Sequence, residues 1–456
     1  MVSRNRTWGA LIACTIGLGA CAGVGGKSSD AGSGSAGGSN GGTPSGALNI
    51  MGFGGEDEVA TARIDTFTKA FPGVKVTHAK GDFDAQQFLT ALASGNPPDL
   101  VYMDRALIGT YAAKGAVQPM DDCISSQKID MSQYRPAAVQ TVTQKGKVYG
   151  IPEFYVVTAN LIDTSVLKSA GLGVDAIQTK DWNALEQTAQ KLAKANGSKI
   201  QRLGYDPKMP DAFPLWALVN GATLVKDDGA PNLNDPKAVE ALKFATKLVT
   251  DQGGWSNLKS FRDSFDIFGE KNPLTVHSIT AFPMENWYVN VLSDYQGKGL
   301  QLGATPVTDR SGAPVSTLGG NAWAIPKGAK NPTAACAWAK TMTATDTWMA
   351  AAKAREDKVT KDKTMFTGLF TANKAADDKI REMYVKKVPD AGFDQAISTY
   401  YSVLDQAKAL NPSPAGAEID AAWKSAVARA LGGQDAQAAL DQAQKEAQTA
   451  FDKAKS

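Results

Sequence analysis

The chain has 456 residues, 43% of them hydrophobic and 21% charged, with a formal net charge of +2. A near-neutral balance with both signs interspersed gives no reason to expect a nucleic-acid partner, and no basic run points at a membrane surface. Past the N-terminus no stretch approaches the roughly 18 consecutive apolar residues of a transmembrane helix, and the length suits two domains of ordinary size.

The N-terminus reads as an export signal. Arg4 and Arg6 form a positive segment, and residues 8–20 form an apolar run too short to span a bilayer comfortably. Leu18-Gly19-Ala20-Cys21 closes that run, and a low-complexity tract follows at once. This pattern resembles the signal of bacterial lipoproteins. The resemblance implies that 1–21 is a signal peptide cut before Cys21, that the Cys21 thiol carries the lipid, and that the protein works anchored at the extracytoplasmic face of the cell membrane. An ordinary secretory signal with an incidental cysteine is the other reading of the same residues. Residues 22–46 are rich in Gly and Ser, cannot bury a core, and are expected to form a flexible tether. Gly32-Ser-Gly34-Ser-Ala-Gly37 and Gly37-Gly-Ser39-Asn-Gly41 match the spacings of a dinucleotide loop and a nucleophile elbow. Neither follows a strand nor opens a helix, so both are products of composition.

From Ala47 strands and helices alternate. Residues 47–53 read as a buried strand ending in Gly54-Gly55. The next helix carries Ala60, Ile64, Phe67 and Phe71 on one face and is stopped by Pro72-Gly73. A strand at 74–78, a helix at 84–94, a strand at 99–103 and a helix ending at Gly115 follow. Such β-α-β units imply a mostly parallel sheet covered by helices. Further on, 147–162 is apolar and strand-like, and Trp182, Leu185, Ala189 and Leu192 form a helical stripe. Asp235-Pro236 is a cap-plus-first-turn start for a helix burying Val239, Leu242 and Val249. Residues 279–284 and 318–325 are strand candidates. Ile419, Trp423, Val427 and Leu431 mark a helix ended by Gly432-Gly433, and one more helix runs to about Lys453.

Several segments, in order, resemble the extracellular solute-binding proteins of ABC importers, in the carbohydrate-binding branch that includes the maltodextrin binders. They are Ala91-Leu-Ala-Ser-Gly95-Asn-Pro97-Pro-Asp99-Leu-Val, Gly146-Lys-Val-Tyr149-Gly150-Ile-Pro152 running on to Asn160, Pro283-Met284-Glu-Asn-Trp287, and Gly319-Gly320-Asn-Ala-Trp323-Ala-Ile325-Pro326-Lys327 with Lys330-Asn331-Pro332. The resemblance implies an α/β, two-lobed, periplasmic-binding-protein-like fold. Discontinuous lobes would be joined by a hinge, with a ligand cleft between them: lobe 1 from 47–155 plus 316–360, and lobe 2 from 158–305 plus the C-terminal helices in 361–456. Open α/β sheets bind ligands beyond the carboxyl ends of their strands, which agrees with this placement. Cys14 would leave with the signal and Cys21 would be lipidated, so Cys123 and Cys336 remain, either bridged or as buried thiols. The implied fold puts both in lobe 1 and favours the disulfide.

A sugar has an apolar ring face and a rim of hydroxyls, so its site wants aromatic platforms and bidentate polar groups. Asp104-Arg105 stands where the maltodextrin binders have an Asp-Arg pair on sugar hydroxyls; a solvated turn is the alternative. Glu56, beside Asp57, could accept hydroxyl bonds or cap the following helix. Tyr155 falls at the first hinge crossing, facing the cleft or packing the hinge. Trp287 matches the Trp that stacks on a sugar ring in the family. Trp323 with Asn321 lies in the loop returning to lobe 1, and Phe213 with Trp216 resembles the family's aromatic helix or packs in a core. The chain departs from the family pattern at 268–282, where Phe268-Gly269 leads into an altered segment.

The resulting expectation is a membrane-tethered monomer that carries a sugar to the transmembrane subunits of an ABC permease, with no cofactor and no metal. A polyol, sugar phosphate or polyamine are alternative cargoes. A lipid-anchored glycosidase is the competing class. His78 and His277 are the only histidines and lack metal-site spacing, so a His-rich zinc site is excluded and a Ser-His-Asp triad would depend on one of them. A catalytic carboxylate pair stays open.

Overall fold

The computed structural model describes residues 43–79 and 81–455. The expected signal at 1–21, Cys21 and all but the last four residues of the 22–46 tether lie outside the described residues. Among the described residues no helix is long and apolar enough to cross a membrane.

Two sheets organise the chain. The first has the order Val74–His78, Gly46–Met51, Leu100–Asp104, Asn321–Ala324, Ile151–Pro152. Its first three strands are parallel, as the β-α-β pattern requires. The helix Glu58–Ala70 makes the first crossover, with Asp57 at its N-cap accepting from the Ala60 N–H at 2.7 Å. Ala60 and Phe67 are buried as the spacing predicts, Ile64 and Phe71 are half-buried, and Arg63 is buried with them.

The second sheet is built around Val156–Asp163. Ala281–Glu285 lies antiparallel along one edge; Leu302–Thr305 and the end of Pro314–Gly319 lie antiparallel along the other. The expectation of mostly parallel pairing therefore fails for this sheet. The physical reason is the path of the chain: the strand that leads out of the first sheet and the strand that leads back lie side by side, and so run in opposite directions.

The crossings are short. The chain leaves the first sheet at Pro152 and enters the second at Val156. It returns at Gly320, between Pro314–Gly319 in the second sheet and Asn321–Ala324 in the first. The single strand expected over 318–325 is thus two strands, and the return lies later than the expected 316. Gly320 has φ +125°, and a Cβ there would sit 2.3 Å from the Phe154 carbonyl oxygen and 3.0 Å from the Arg105 guanidinium, so only glycine fits. A third segment, 370–372, runs beside the first crossing: the Tyr155 N–H donates to the Phe370 carbonyl at 2.8 Å and the Ala372 N–H to that of Glu153 at 2.6 Å.

Cys123 in the helix Asp121–Ser126 and Cys336 in the helix Pro332–Thr343 form a disulfide, Cα–Cα 5.7 Å, closing a separation of 213 residues. The helices Trp182–Leu192, Pro236–Asp251 and Gly416–Leu431 bury the stripes read from the sequence, with Leu431 half-buried at its end.

Candidate ligand-binding cleft

Two cavities meet at Asp104. The larger, about 670 Å³, is bounded by strand ends from both sheets, among them Asp104, Thr158, Glu285 and Thr317, and by Ile419 and Trp423 of a C-terminal helix. The smaller, about 480 Å³, has Glu56, Asp82, Tyr102 and Asn321 in its wall. Both open at carboxyl ends of strands in the first sheet, where α/β proteins place their ligands.

All four expected polar residues, Glu56, Asp104, Arg105 and Asn321, line these cavities. Asp104 is solvent-exposed at the junction and accepts from the Ala106 N–H at 2.9 Å, capping the helix Arg105–Ala113. The protein enclosing its carboxyl raises the pKa, against the lowering pulls of that N–H and of Arg105. Glu56 lines the smaller cavity, and the cap at this strand end is Asp57. Asn321 lines the same wall half-buried, and its side-chain amide has no hydrogen bond among the described residues.

Arg105 differs from expectation. It is buried, and its guanidinium donates through Nη1 to the Phe154 carbonyl at 2.5 Å and through Nη2 to the Gly319 carbonyl. Those carbonyls belong to the outward and returning crossings. The terminal nitrogens expected to meet sugar hydroxyls are instead spent on the hinge, and burial lowers the pKa to about 10.

The aromatic expectations divide sharply. Phe213, Trp216 and Trp323 are core residues, 0%, 1% and 0% exposed. Trp216 donates its indole N–H to the Pro207 carbonyl at 2.9 Å, and Trp323 packs against Tyr102 with ring centroids 4.5 Å apart. Tyr155 is also buried: its hydroxyl donates to the Leu404 carbonyl at 3.2 Å, and the Arg135 guanidinium lies 5.1 Å from its ring. It packs the hinge. Trp287 alone stays accessible, 39% exposed. It follows the strand whose Pro283 and Glu285 line the larger cavity. Its carbonyl accepts from the Asn290 N–H at 3.1 Å, and the Asn290 side chain accepts from Arg355 at 2.9 Å. Arg355 also pairs with Glu58 and, at 3.6 Å, with Asp57 in the wall of the smaller cavity. These contacts link the turn that carries Trp287 to the wall of the smaller cavity.

Under the smaller cavity, Arg63 Nη1 meets Glu153 Oε1 at 2.7 Å, and the Tyr102 hydroxyl donates to the same oxygen at 3.2 Å. Burial pushes the Glu153 carboxyl up and Arg63 pulls it back. In the larger cavity Lys208 holds φ +54° and donates to Glu285 at 3.0 Å, while its backbone N–H donates to Asp206 at 2.8 Å. A left-handed Lys beside Pro207 carries no signal in the sequence, and Trp423 read only as part of a helical stripe.

One histidine meets a serine and an aspartate. His277 Nδ1 lies 2.6 Å from Asp163, and the Ser165 hydroxyl donates to Asp163 at 2.6 Å. Ser165 Oγ faces Nδ1 as well, at 3.4 Å, the nitrogen already turned to the acid. In a hydrolase triad the hydroxyl meets the opposite ring nitrogen, so these three residues form a helix cap with a bound imidazole and lack the relay geometry.

Residues 62–379 match the family model described as bacterial extracellular solute-binding protein. The chain is similar to the arabinooligosaccharide-binding protein of Bacillus subtilis (strain 168), 21% identical over 279 residues that cover 59% of this chain and 62% of that protein. It is also similar to the lactose-binding protein of Rhizobium radiobacter, 26% identical over 254 residues, 55% of this chain and 58% of that protein. The matched region thus spans less than two thirds of these curated relatives. Among solved structures, CpMnBP1 with mannotriose bound superposes with a TM-score of 0.70 at 24% identity, covering 88% of this chain and 99% of that one, which establishes the two-lobed fold.

Proposed function

The chain belongs to the bacterial extracellular solute-binding proteins, and from that footing we propose that it captures an oligosaccharide between its lobes and delivers it to the transmembrane subunits of an ABC importer. The observation that carries this reading is the cleft: Asp104 and Glu56 put carboxylates into the walls of two adjoining cavities, and the accessible ring of Trp287 follows the strand whose Pro283 and Glu285 line the larger one. Carboxylates accept from pairs of hydroxyls and an indole face covers the apolar side of a pyranose. Hinge closure would bury both against the ligand, and Arg105 and Gly320 give the hinge a fixed geometry. The names of the relatives, which bind arabino-oligosaccharides and lactose, support a carbohydrate cargo.

In the same reading Cys21 carries a lipid, the 22–46 tether holds a monomeric receptor near its permease, and the receptor binds without chemistry. The tether then raises effective concentration at the transporter. A thermal-shift screen against neutral mono- and oligosaccharides tests the cargo, because a ligand that binds only the folded state raises Tm by mass action. No shift with any saccharide would reject it, and release of cleavage products would reject the non-catalytic reading.

A further inference from the structure

Phe268 is the most exposed large apolar side chain among the described residues, at 66%. It belongs to the segment where this chain departs from its family pattern, and its ring lies nearly parallel to that of Trp287, 23° between planes and 5.8 Å between centroids. That separation makes the rings offset neighbours, so neither caps the other and Trp287 keeps its 39% exposure. The backbone beneath is tied. Asn272 Nδ2 donates to the Ile267 carbonyl at 3.0 Å and bonds the Tyr288 hydroxyl; the Tyr295 hydroxyl donates to the Phe268 carbonyl at 3.4 Å. The Phe268 N–H donates to Asp266 at 3.3 Å, and a Cβ on Gly269 would lie 2.1 Å from that same carboxylate. An apolar ring is thus held in water by a compact loop, a cost that core packing does not explain.

We propose that Phe268 is a specificity-determining residue which, with Trp287, forms a two-ring platform that stacks an additional pyranose of a longer neutral oligosaccharide as it leaves the cleft. This rests on the oligosaccharide reading above. Trp287 is the inner ring, because it stands two residues past Glu285, which lines the larger cavity, and its carbonyl is tied through Asn290 to Arg355. Phe268 is the outer ring and is reached only by a chain that extends past Trp287. Pre-ordering by the loop means that little side-chain freedom is lost on binding.

The test is calorimetric titration of wild type, Phe268→Ala and Phe268→Tyr with manno- and malto-oligosaccharides from disaccharide to pentasaccharide. Phe268→Ala is expected to weaken binding of the longer members by roughly threefold to tenfold and to leave the disaccharide unchanged; Phe268→Tyr restores the wild-type pattern. The exposed site predicts an unchanged Tm for both variants. Wild-type binding with an Ala effect that is absent, or equal at every length, overturns this proposal while the oligosaccharide reading stands. Failure of wild type to bind any member overturns both.

Discussion

Arg63 and Glu153, ninety positions apart in sequence, form an ion pair of 2.7 Å in which both side chains are buried, 1% and 0% exposed. The pair joins the first crossover helix to the outward crossing between the lobes. Arg63 also stacks over the Trp348 ring at 4.3 Å, so its charge is enclosed on several sides. Leaving one buried partner alone costs about 3–5 kcal/mol, whereas replacing both by apolar groups of similar volume costs much less. Arg63→Met and Glu153→Leu should each destabilise by that amount in denaturant titrations, and the double variant should recover much of the loss. Additive losses would show that the two residues act independently.

Asp377 gives a pH signature. Burial raises its carboxyl from 3.8 to about 6, against the pull of Arg135, whose Nη2 lies 2.9 Å away. Between those values the folded state binds more protons than the unfolded chain, so this group's contribution is fully present below about pH 4 and is lost as pH rises to about 6. Asp377→Asn removes the titration. The stability difference, wild type minus variant, should fall across that window and then level off; a rise would refute the assignment.

Trp287 and Trp323 separate binding from folding. Trp323→Ala empties a core position and should cost about 3–5 kcal/mol of stability. Trp287→Ala should change stability by no more than about 0.5 kcal/mol while lowering saccharide affinity roughly tenfold. The measurements are a thermal melt and a titration with whichever oligosaccharide the screen returns. A Trp287 variant that melts early but binds normally would reverse the assignment.

The hinge clamp makes a fourth prediction. Gly320→Ala places a methyl against the Phe154 carbonyl at a φ that alanine avoids, and should cost about 2–4 kcal/mol. Arg105→Lys cannot span the Phe154 and Gly319 carbonyls with one ammonium and should cost about 1–3 kcal/mol. Both should also shift the ligand-free balance of open and closed forms, measurable by small-angle scattering. An unchanged scattering profile would limit the clamp to a structural role.

Local signals carried the crossover helices and the strand ends. Caps such as Asp57 and Asp235, and strands ending at Asp104, are visible within a few residues, which is why Glu56 and Asp104 could be placed at a cleft. Long-range partners were not visible. Nothing near Arg105 says that its donors meet a carbonyl more than two hundred residues away, and helical spacing around Arg63 marks a buried face without naming the acid that makes burial tolerable. Aromatic spacing fails for a related reason: Trp216 and Trp287 are the same residue type near apolar neighbours, and only the fold decides which of them reaches water. The antiparallel second sheet was missed because its pairings depend on the route of the chain between lobes.

The position of Asn321–Ala324 inside the first sheet, between Leu100–Asp104 and Ile151–Pro152, orders the assembly of the molecule in time. The half that is synthesised first stays open along one strand until the second half has been made and has passed by. A chain emerging across a membrane therefore cannot complete its leading domain alone, and Cys123 must wait beside that gap for Cys336 to arrive.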